Sequence, residues 1–113
     1  MKKYCLTLDL KDDPQLIQEY EEHHKKVWPE ILDSITGSGI TQMEIYRFEQ
    51  RLFMIIETAD NFSFEQKTIN DSQNQKVQEW EQLMLKYQQP FDESDPSKKW
   101  VLMTKIFDLI NSK

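Results

Sequence analysis

The sequence predicts an α+β fold in which helices cover one face of an antiparallel sheet. Apolar residues alternate with a period of two in short segments at both ends and in the middle of the chain, and two longer segments between them have helical spacing. A two-residue connection also joins the two middle segments, which is typical of a hairpin. A chain of 113 residues fits one domain, and we expect a single domain over residues 1–113.

The first strand is predicted over residues 3–10, where Tyr4, Leu6, Leu8 and Leu10 alternate with smaller or polar residues. Helical spacing then continues from Pro14 to about residue 35, with a residue suited to capping, Asp13, just before the proline. Pro29 lies inside this pattern. Since proline costs about 3 kcal/mol in a helix interior, either the helix kinks near Trp28 or a second helix begins at Pro29.

The Gly37-Ser-Gly39 segment ends this helical region. Two strands follow over residues 40–48 and 51–58, with Glu49 and Gln50 between them. Helices are expected over residues 63–70 and 76–88, with an interruption around 72–74, and a polar loop over 90–98. A final strand is expected over residues 100–107.

The predicted order is β-α-β-β-α-β, which is that of a ferredoxin-like domain with an antiparallel sheet. The third strand is apolar on both faces, since Leu52, Met54 and Ile56 alternate with Phe53 and Ile55. Helices on one side leave the other apolar face uncovered, and monomers rarely expose such a patch. We therefore expect a homodimer that packs sheet to sheet.

Charge and composition exclude several classes of partner. The net charge is −6 and no basic stripe accompanies the aromatic residues, which argues against nucleic-acid binding. No apolar run approaches the roughly 20 residues that a membrane span needs. The single cysteine, Cys5, cannot form an internal disulfide, so we expect a cytoplasmic protein.

Tyr20, His24 and Trp28 recur at every fourth position and share one helical face. An imidazole beside a phenol and an indole, where a helix meets a sheet, is what a small acid/base pocket needs. Inward histidines and aromatics are more often plain structural residues, and this alternative stays open on spacing alone. His23 and His24 point in different directions on a helix, and with no cluster of further ligands we expect no metal site.

Several segments together resemble the L-rhamnose mutarotase family, and the resemblance covers nearly the whole chain. Its most specific element is the run Tyr-x-x-x-His-x-x-x-Trp-Pro-Glu at residues 20–30. The others are residues 4–9, 45–46, 52–54 and 80–84. The resemblance implies a dimeric α/β barrel of ferredoxin-like protomers. It also implies an enzyme that interconverts the α and β anomers of a 6-deoxy-L-hexose without metal or organic cofactor.

By this resemblance His24 matches the proton donor of the family, Tyr20 a substrate-binding tyrosine and Trp80 a substrate-contacting tryptophan. Two positions depart from the pattern. Glu81 stands where the family has a second tryptophan, and Met43 where it has another substrate-binding tyrosine. We place both among the substrate-binding residues. A sugar with a different arrangement of hydroxyls, such as L-fucose, is therefore an alternative substrate.

The sequence-based hypothesis is a cytoplasmic, homodimeric mutarotase of a monosaccharide, with L-rhamnose as first and L-fucose as second substrate. Glu44 and Glu57, on strands, are candidates for a second acid/base group, although outward-facing carboxylates are the more common case. A non-catalytic sugar-binding or regulatory dimer and a small cofactor-free oxygenase are the competing hypotheses, because this fold hosts many functions.

Overall fold

A computed structural model of the chain describes residues 1–92, 94 and 99–112. The helices and strands follow the predicted order through the first two thirds of the chain. In chain order they are β1 (Lys2–Leu10), α1 (Pro14–His24), α2 (Pro29–Gly37), β2 (Ile40–Phe48), β3 (Arg51–Thr58), α3 (Phe64–Ser72), α4 (Gln75–Leu85), β4 (Gln88–Gln89), β5 (Val101–Leu102) and a 3₁₀ turn at Ile110–Ser112.

The sheet is antiparallel and has the order β2-β3-β1, with β4 and β5 both pairing with the free edge of β1. β1 and β3 pair along almost their full length, from Lys2 opposite Thr58 to Asp9 opposite Arg51. The first strand is therefore central although it comes first in the chain. This arrangement, with four helices and an antiparallel sheet, confirms the predicted α+β, ferredoxin-like fold.

The core lies between the helices and one face of the sheet. Leu8 on β1 is fully buried, and Leu52 and Ile56 on β3 are almost so. The helices contribute Tyr20, Ile31, Val77, Trp80 and Met84. The alternation of buried and half-buried residues along β1 and β3 follows from the period of a strand, which sends successive side chains to opposite faces.

The helical region before β2 is two helices rather than one kinked helix. The Asp13 carboxylate caps α1 by accepting hydrogen bonds from the backbone N–H groups of Gln15 and Leu16. α1 ends at His24, and Pro29 is the first residue of α2. The residue before a proline is driven out of helical conformation, which explains why Trp28 is extended with ψ 138°.

Gly39 and Glu49 have positive φ angles, at the two turns that flank β2. Gly39 has φ 101° between α2 and β2, and its carbonyl accepts a hydrogen bond from the Ala59 N–H at 2.8 Å. Glu49 has φ 53° in the two-residue turn between β2 and β3. Side-chain-bearing residues rarely adopt the conformation of Gly39, so this turn requires a glycine.

Two boundaries near the carboxyl end were predicted wrongly. The fourth helix was expected to reach residue 88, but it ends at Leu85 and the chain then enters β4, which pairs with β1. The final strand was expected over 100–107, but only Val101–Leu102 pair, followed by one hydrogen bond from Met103 N–H to the Cys5 carbonyl. A segment with high strand propensity forms a β-ladder only where a neighbouring strand offers a free edge for pairing. Of the predicted loop over 90–98, residues 93 and 95–98 lie outside the described residues.

No helix formed by the described residues covers the outer face of the sheet. Tyr46 on β2, Phe53 on β3, Thr7 on β1 and Val101 on β5 lie side by side across it. After β5 the chain presents further exposed apolar side chains, of which Ile106 is 94% exposed. In the part of the chain described by the structure, no helix is long and apolar enough to cross a membrane.

Candidate active site

A cavity of about 740 Å³ lies between the helices and the inner face of the sheet. All five residues that the sequence analysis selected for the sugar site line this cavity, namely Tyr20, His24, Met43, Trp80 and Glu81. They come from α1, β2 and α4, so the fold brings together residues that are up to 61 positions apart in the sequence (81 − 20). A cavity of this size is typical of small-molecule sites.

His24 is oriented by its own helix. Its Nδ1 lies 2.8 Å from the Tyr20 carbonyl oxygen, which can only accept, so Nδ1 carries the proton and donates. Burial lowers the pKa of His24 below 6.5; the bond to the Tyr20 carbonyl opposes this shift, and the charge of His23 adds to it. At neutral pH the imidazole is therefore mainly uncharged, and Nε2 holds the lone pair.

The Tyr20 ring lies against the imidazole, with 4.4 Å between the ring centroids. Burial raises the pKa of Tyr20 to about 12, and a hydrogen bond from Gln88 opposes the rise. The phenol therefore keeps its proton at all physiological pH values. It can donate a hydrogen bond to a sugar oxygen but cannot serve as a base.

Trp80 is held by aromatic contacts on several sides. Its ring meets those of His24 and Trp28 at steep angles, with centroid separations of 5.7 and 5.2 Å. Such edge contacts are favourable for aromatic pairs and fix the plane of the indole. Trp28 packs against Trp80 and does not line the cavity, in agreement with a structural role.

Several ionisable side chains line the same cavity. Asp71 forms an ion pair with Lys67 at 2.7 Å. Glu81 on α4 lies near Lys99, whose pKa is lowered by burial, while the charge of Glu81 opposes the shift. Lys99 and Gln88 were missed by the sequence analysis, because a lysine in a polar segment and a glutamine after a helix give no periodic signal.

Other candidate residues lie outside the cavity. Glu44 is exposed and accepts a hydrogen bond from the Tyr46 hydroxyl, and neither Glu44 nor Glu57 lines the cavity. His23 points away from His24, since its Nε2 lies 3.1 Å from the Tyr87 hydroxyl. Among the residues placed by the structure, no three His, Cys, Asp or Glu side chains are arranged to hold a metal ion.

Comparison with known proteins identifies the family. The model of the L-rhamnose mutarotase family matches residues 3–109. An L-fucose mutarotase from Xanthomonas campestris is 36% identical over 111 residues, which cover 96% of this chain and 89% of that protein. An L-rhamnose mutarotase from a Jannaschia species is 31% identical over 64 residues, covering 54% of this chain and 60% of the other.

Among solved structures, the L-rhamnose mutarotase of Formosa agariphila superposes with a TM-score of 0.73 at 18% identity, covering 96% of this chain and 99% of that one. At this identity the structural likeness is evidence for the fold alone. The family match spans nearly the whole described sequence and includes every residue that the sequence analysis placed in the site. The chain therefore belongs to the L-rhamnose mutarotase family of sugar mutarotases.

Proposed function

We propose that the protein interconverts the α and β anomers of 6-deoxy-L-hexoses, with His24 as the group that transfers protons and without a metal or organic cofactor. The observation that supports this proposal best is the state of the imidazole. Its Nδ1 is occupied by the Tyr20 carbonyl, and the ring lines a cavity of about 740 Å³. Nε2 is thus the nitrogen available to a bound sugar.

The chemistry of mutarotation suits a neutral imidazole. The anomeric hydroxyl loses its proton and the ring oxygen gains one, so that the bond between the anomeric carbon and the ring oxygen breaks and an open-chain aldehyde forms. Rotation about the C1–C2 bond and the reverse proton transfers then close the ring with the other configuration. A general base with a pKa near neutrality can take the first proton and return it after rotation.

If His24 takes the proton of the anomeric hydroxyl, a second group must deliver a proton to the ring oxygen. Of the described ionisable residues in the cavity, Asp71 is engaged by Lys67. Glu81 and Lys99 interact with one another and border the same space, and we assign the second proton to this pair. Tyr20 and Trp80 position the sugar, the phenol through its hydroxyl and the indole against the apolar C–H face of the ring.

We propose L-fucose ahead of L-rhamnose as the substrate. A relative that matches nearly the whole chain is an L-fucose mutarotase, while the L-rhamnose mutarotase from Jannaschia matches about half of it. The two sugars differ in the configuration of the hydroxyls at C2 and C4. Met43 and Glu81 line the cavity where the sequence departs from the family pattern, so the contacts to hydroxyls differ there.

The test is magnetisation exchange by NMR between the α and β anomeric protons of each sugar. His24→Ala should slow the catalysed exchange by roughly 10² to 10⁴-fold, the usual contribution of general acid/base catalysis. His23→Ala is the matched control, because His23 contacts Tyr87 and does not line the cavity; loss of its charge should shift only the pH at which exchange declines. Sugar that binds without accelerated exchange, or equal rates in wild type and His24→Ala, would reject the proposal.

We further propose that the protein is a cytoplasmic homodimer in which two sheets face one another and form an α/β barrel. The supporting observation is the uncovered outer face, on which Tyr46 is 54% exposed and Val101 41% exposed. A second copy offers an equally apolar, self-complementary face, as a two-fold interface requires. The single Cys5 fits a reducing compartment, because the chain has no second cysteine with which to pair internally.

A further inference from the structure

The side chain of Gln88 carries a buried hydrogen-bond acceptor that has no donor within the part of the chain that the structure describes. Gln88 is 4% exposed, and its Oε1 meets no donor among the described residues. Buried amide oxygens almost always have a hydrogen-bond partner, because an unpaired one loses the free energy of hydration without compensation. An unpaired oxygen inside a ligand cavity indicates that the bound ligand donates the missing hydrogen bond.

The backbone on both sides explains why this side chain cannot turn away. The Tyr87 N–H donates to the Met84 carbonyl and closes the end of α4. The Tyr87 carbonyl accepts from the Lys11 N–H at 2.8 Å, and Gln88 itself pairs with Leu10 of β1. The chain is therefore fixed to the edge of the sheet, and the Gln88 side chain lies in the cavity lining with Tyr20 and His24.

The Gln88 amide and the Tyr20 phenol line the same cavity, and the interaction between them opposes the rise in the pKa of the phenol. The Oε1 end of the amide remains for a donor, and a monosaccharide carries hydroxyl donors around its ring. We propose that Gln88 is a substrate-binding residue whose Oε1 accepts a hydrogen bond from one sugar hydroxyl in the cavity beside Tyr20 and His24. This inference rests on the proposed sugar mutarotase function.

Gln88→Met tests the contact, since methionine has nearly the same shape but lacks both amide ends. The net free energy of one neutral hydrogen bond, about 0.5–1.5 kcal/mol, predicts that KM for the preferred sugar rises roughly 2- to 13-fold, with kcat mostly retained. The melting temperature should stay equal or rise, because the unpaired buried acceptor is gone. The matched control is Gln82→Met, at an exposed position of α4 outside the cavity, which should change neither quantity.

A structural role gives the opposite pattern. A lower melting temperature with unchanged KM in Gln88→Met would overturn the inference. If Gln88 acts only by orienting Tyr20, Gln88→Met should have no further effect in a Tyr20→Phe background, and that result would also overturn it. A direct contact predicts a further increase in KM in the double variant.

Sugars that lack one hydroxyl identify the partner. We expect one of the 2-, 3- and 4-deoxy forms of the preferred sugar to bind wild type more weakly but to bind Gln88→Met no worse than the parent sugar does. If each of the three deoxy sugars lost as much affinity for Gln88→Met as for wild type, a contact between Gln88 and one of these hydroxyls would be contradicted. Affinity, followed by titration of tryptophan fluorescence, needs no turnover. Wild type that binds without anomer exchange would thus reject the proposed function while the affinity comparison still decides the role of Gln88; wild type that binds no sugar would reject both.

Discussion

Tyr46→Asp is expected to weaken the proposed dimer without unfolding the protomer. Tyr46 lies on the outer face of β2, opposite Phe53, and 54% of its surface is exposed in the single chain. Full burial of a large apolar side chain contributes about 1.5–3 kcal/mol, so the exposed part contributes about 1–1.5 kcal/mol per copy. Because the substitution is present in both copies of a two-fold dimer, the dimerisation free energy falls by about 2–3 kcal/mol. The dissociation constant then becomes roughly 30 to 150 times larger.

In the wild type, Glu44 accepts a hydrogen bond from the Tyr46 hydroxyl. In Tyr46→Asp two carboxylates lie side by side at the interface, and their repulsion makes the loss of about 2–3 kcal/mol a lower bound. Sedimentation velocity over a dilution series measures the constant. Ile69→Asp is the matched control, because Ile69 is 43% exposed on α3, on the helical side of the sheet, and should leave the dimer intact. Circular dichroism checks that both variants fold. A wild-type monomer at all concentrations, or a Tyr46→Asp protein that dimerises as well as Ile69→Asp, would refute the reasoning.

Three further predictions concern catalysis and stability. Because burial lowers the pKa of His24, catalysed anomer exchange should persist as the pH falls to 6.5 and decline only below it, where Nε2 becomes protonated; a decline that begins above pH 7 would contradict this, with exchange in protein-free buffer subtracted. Leu8→Ala should lower the free energy of unfolding by about 2–5 kcal/mol in urea titrations, since Leu8 is fully buried, while Leu32→Ala at an exposed position should change it by less than about 1 kcal/mol. Gly39→Ala should destabilise by about 1–3 kcal/mol because of its φ of 101°, whereas Gly37→Ala, which meets no atom within 4 Å, should stabilise slightly; equal effects would show that the conformation of Gly39 is not strained for alanine.

The sequence contains most of the information on the fold up to residue 85, for a physical reason. β1, β2, β3 and the helices have strong periodic patterns, and their ends are marked by residues with known backbone preferences, such as Asp13, Pro14 and Pro29. Pro29 left two outcomes open, a kink or two helices. Only tertiary structure decides between them, because the four residues that separate α1 from α2 have no pattern of their own.

The segment after α4 could not be predicted from local pattern. The run that contains Tyr87 and Gln88 continues helical spacing, yet β1 offers a free edge with which the backbone pairs instead. The apolar run from Trp100 onward has strand composition but finds ladder partners for only two residues within one chain. In the first case pairing with a distant strand overrides local helical preference, and in the second local strand preference is not enough without a partner strand. We expect a second copy to cover part of the exposed residues that follow β5.

Helical spacing alone placed Tyr20 and His24 on one face, and the resemblance selected them as site residues, but neither could specify which nitrogen of the imidazole is available. That depends on the contact between the ring and its own helix. The His24 ring donates from Nδ1 to the Tyr20 carbonyl one turn earlier. Because Pro29 keeps Trp28 out of helical conformation, α1 cannot run straight into α2, and the imidazole stays at an open helix end beside the cavity. The proline that obscured the helix boundary in the sequence thus leaves His24 at the end of α1, where its ring lines the cavity.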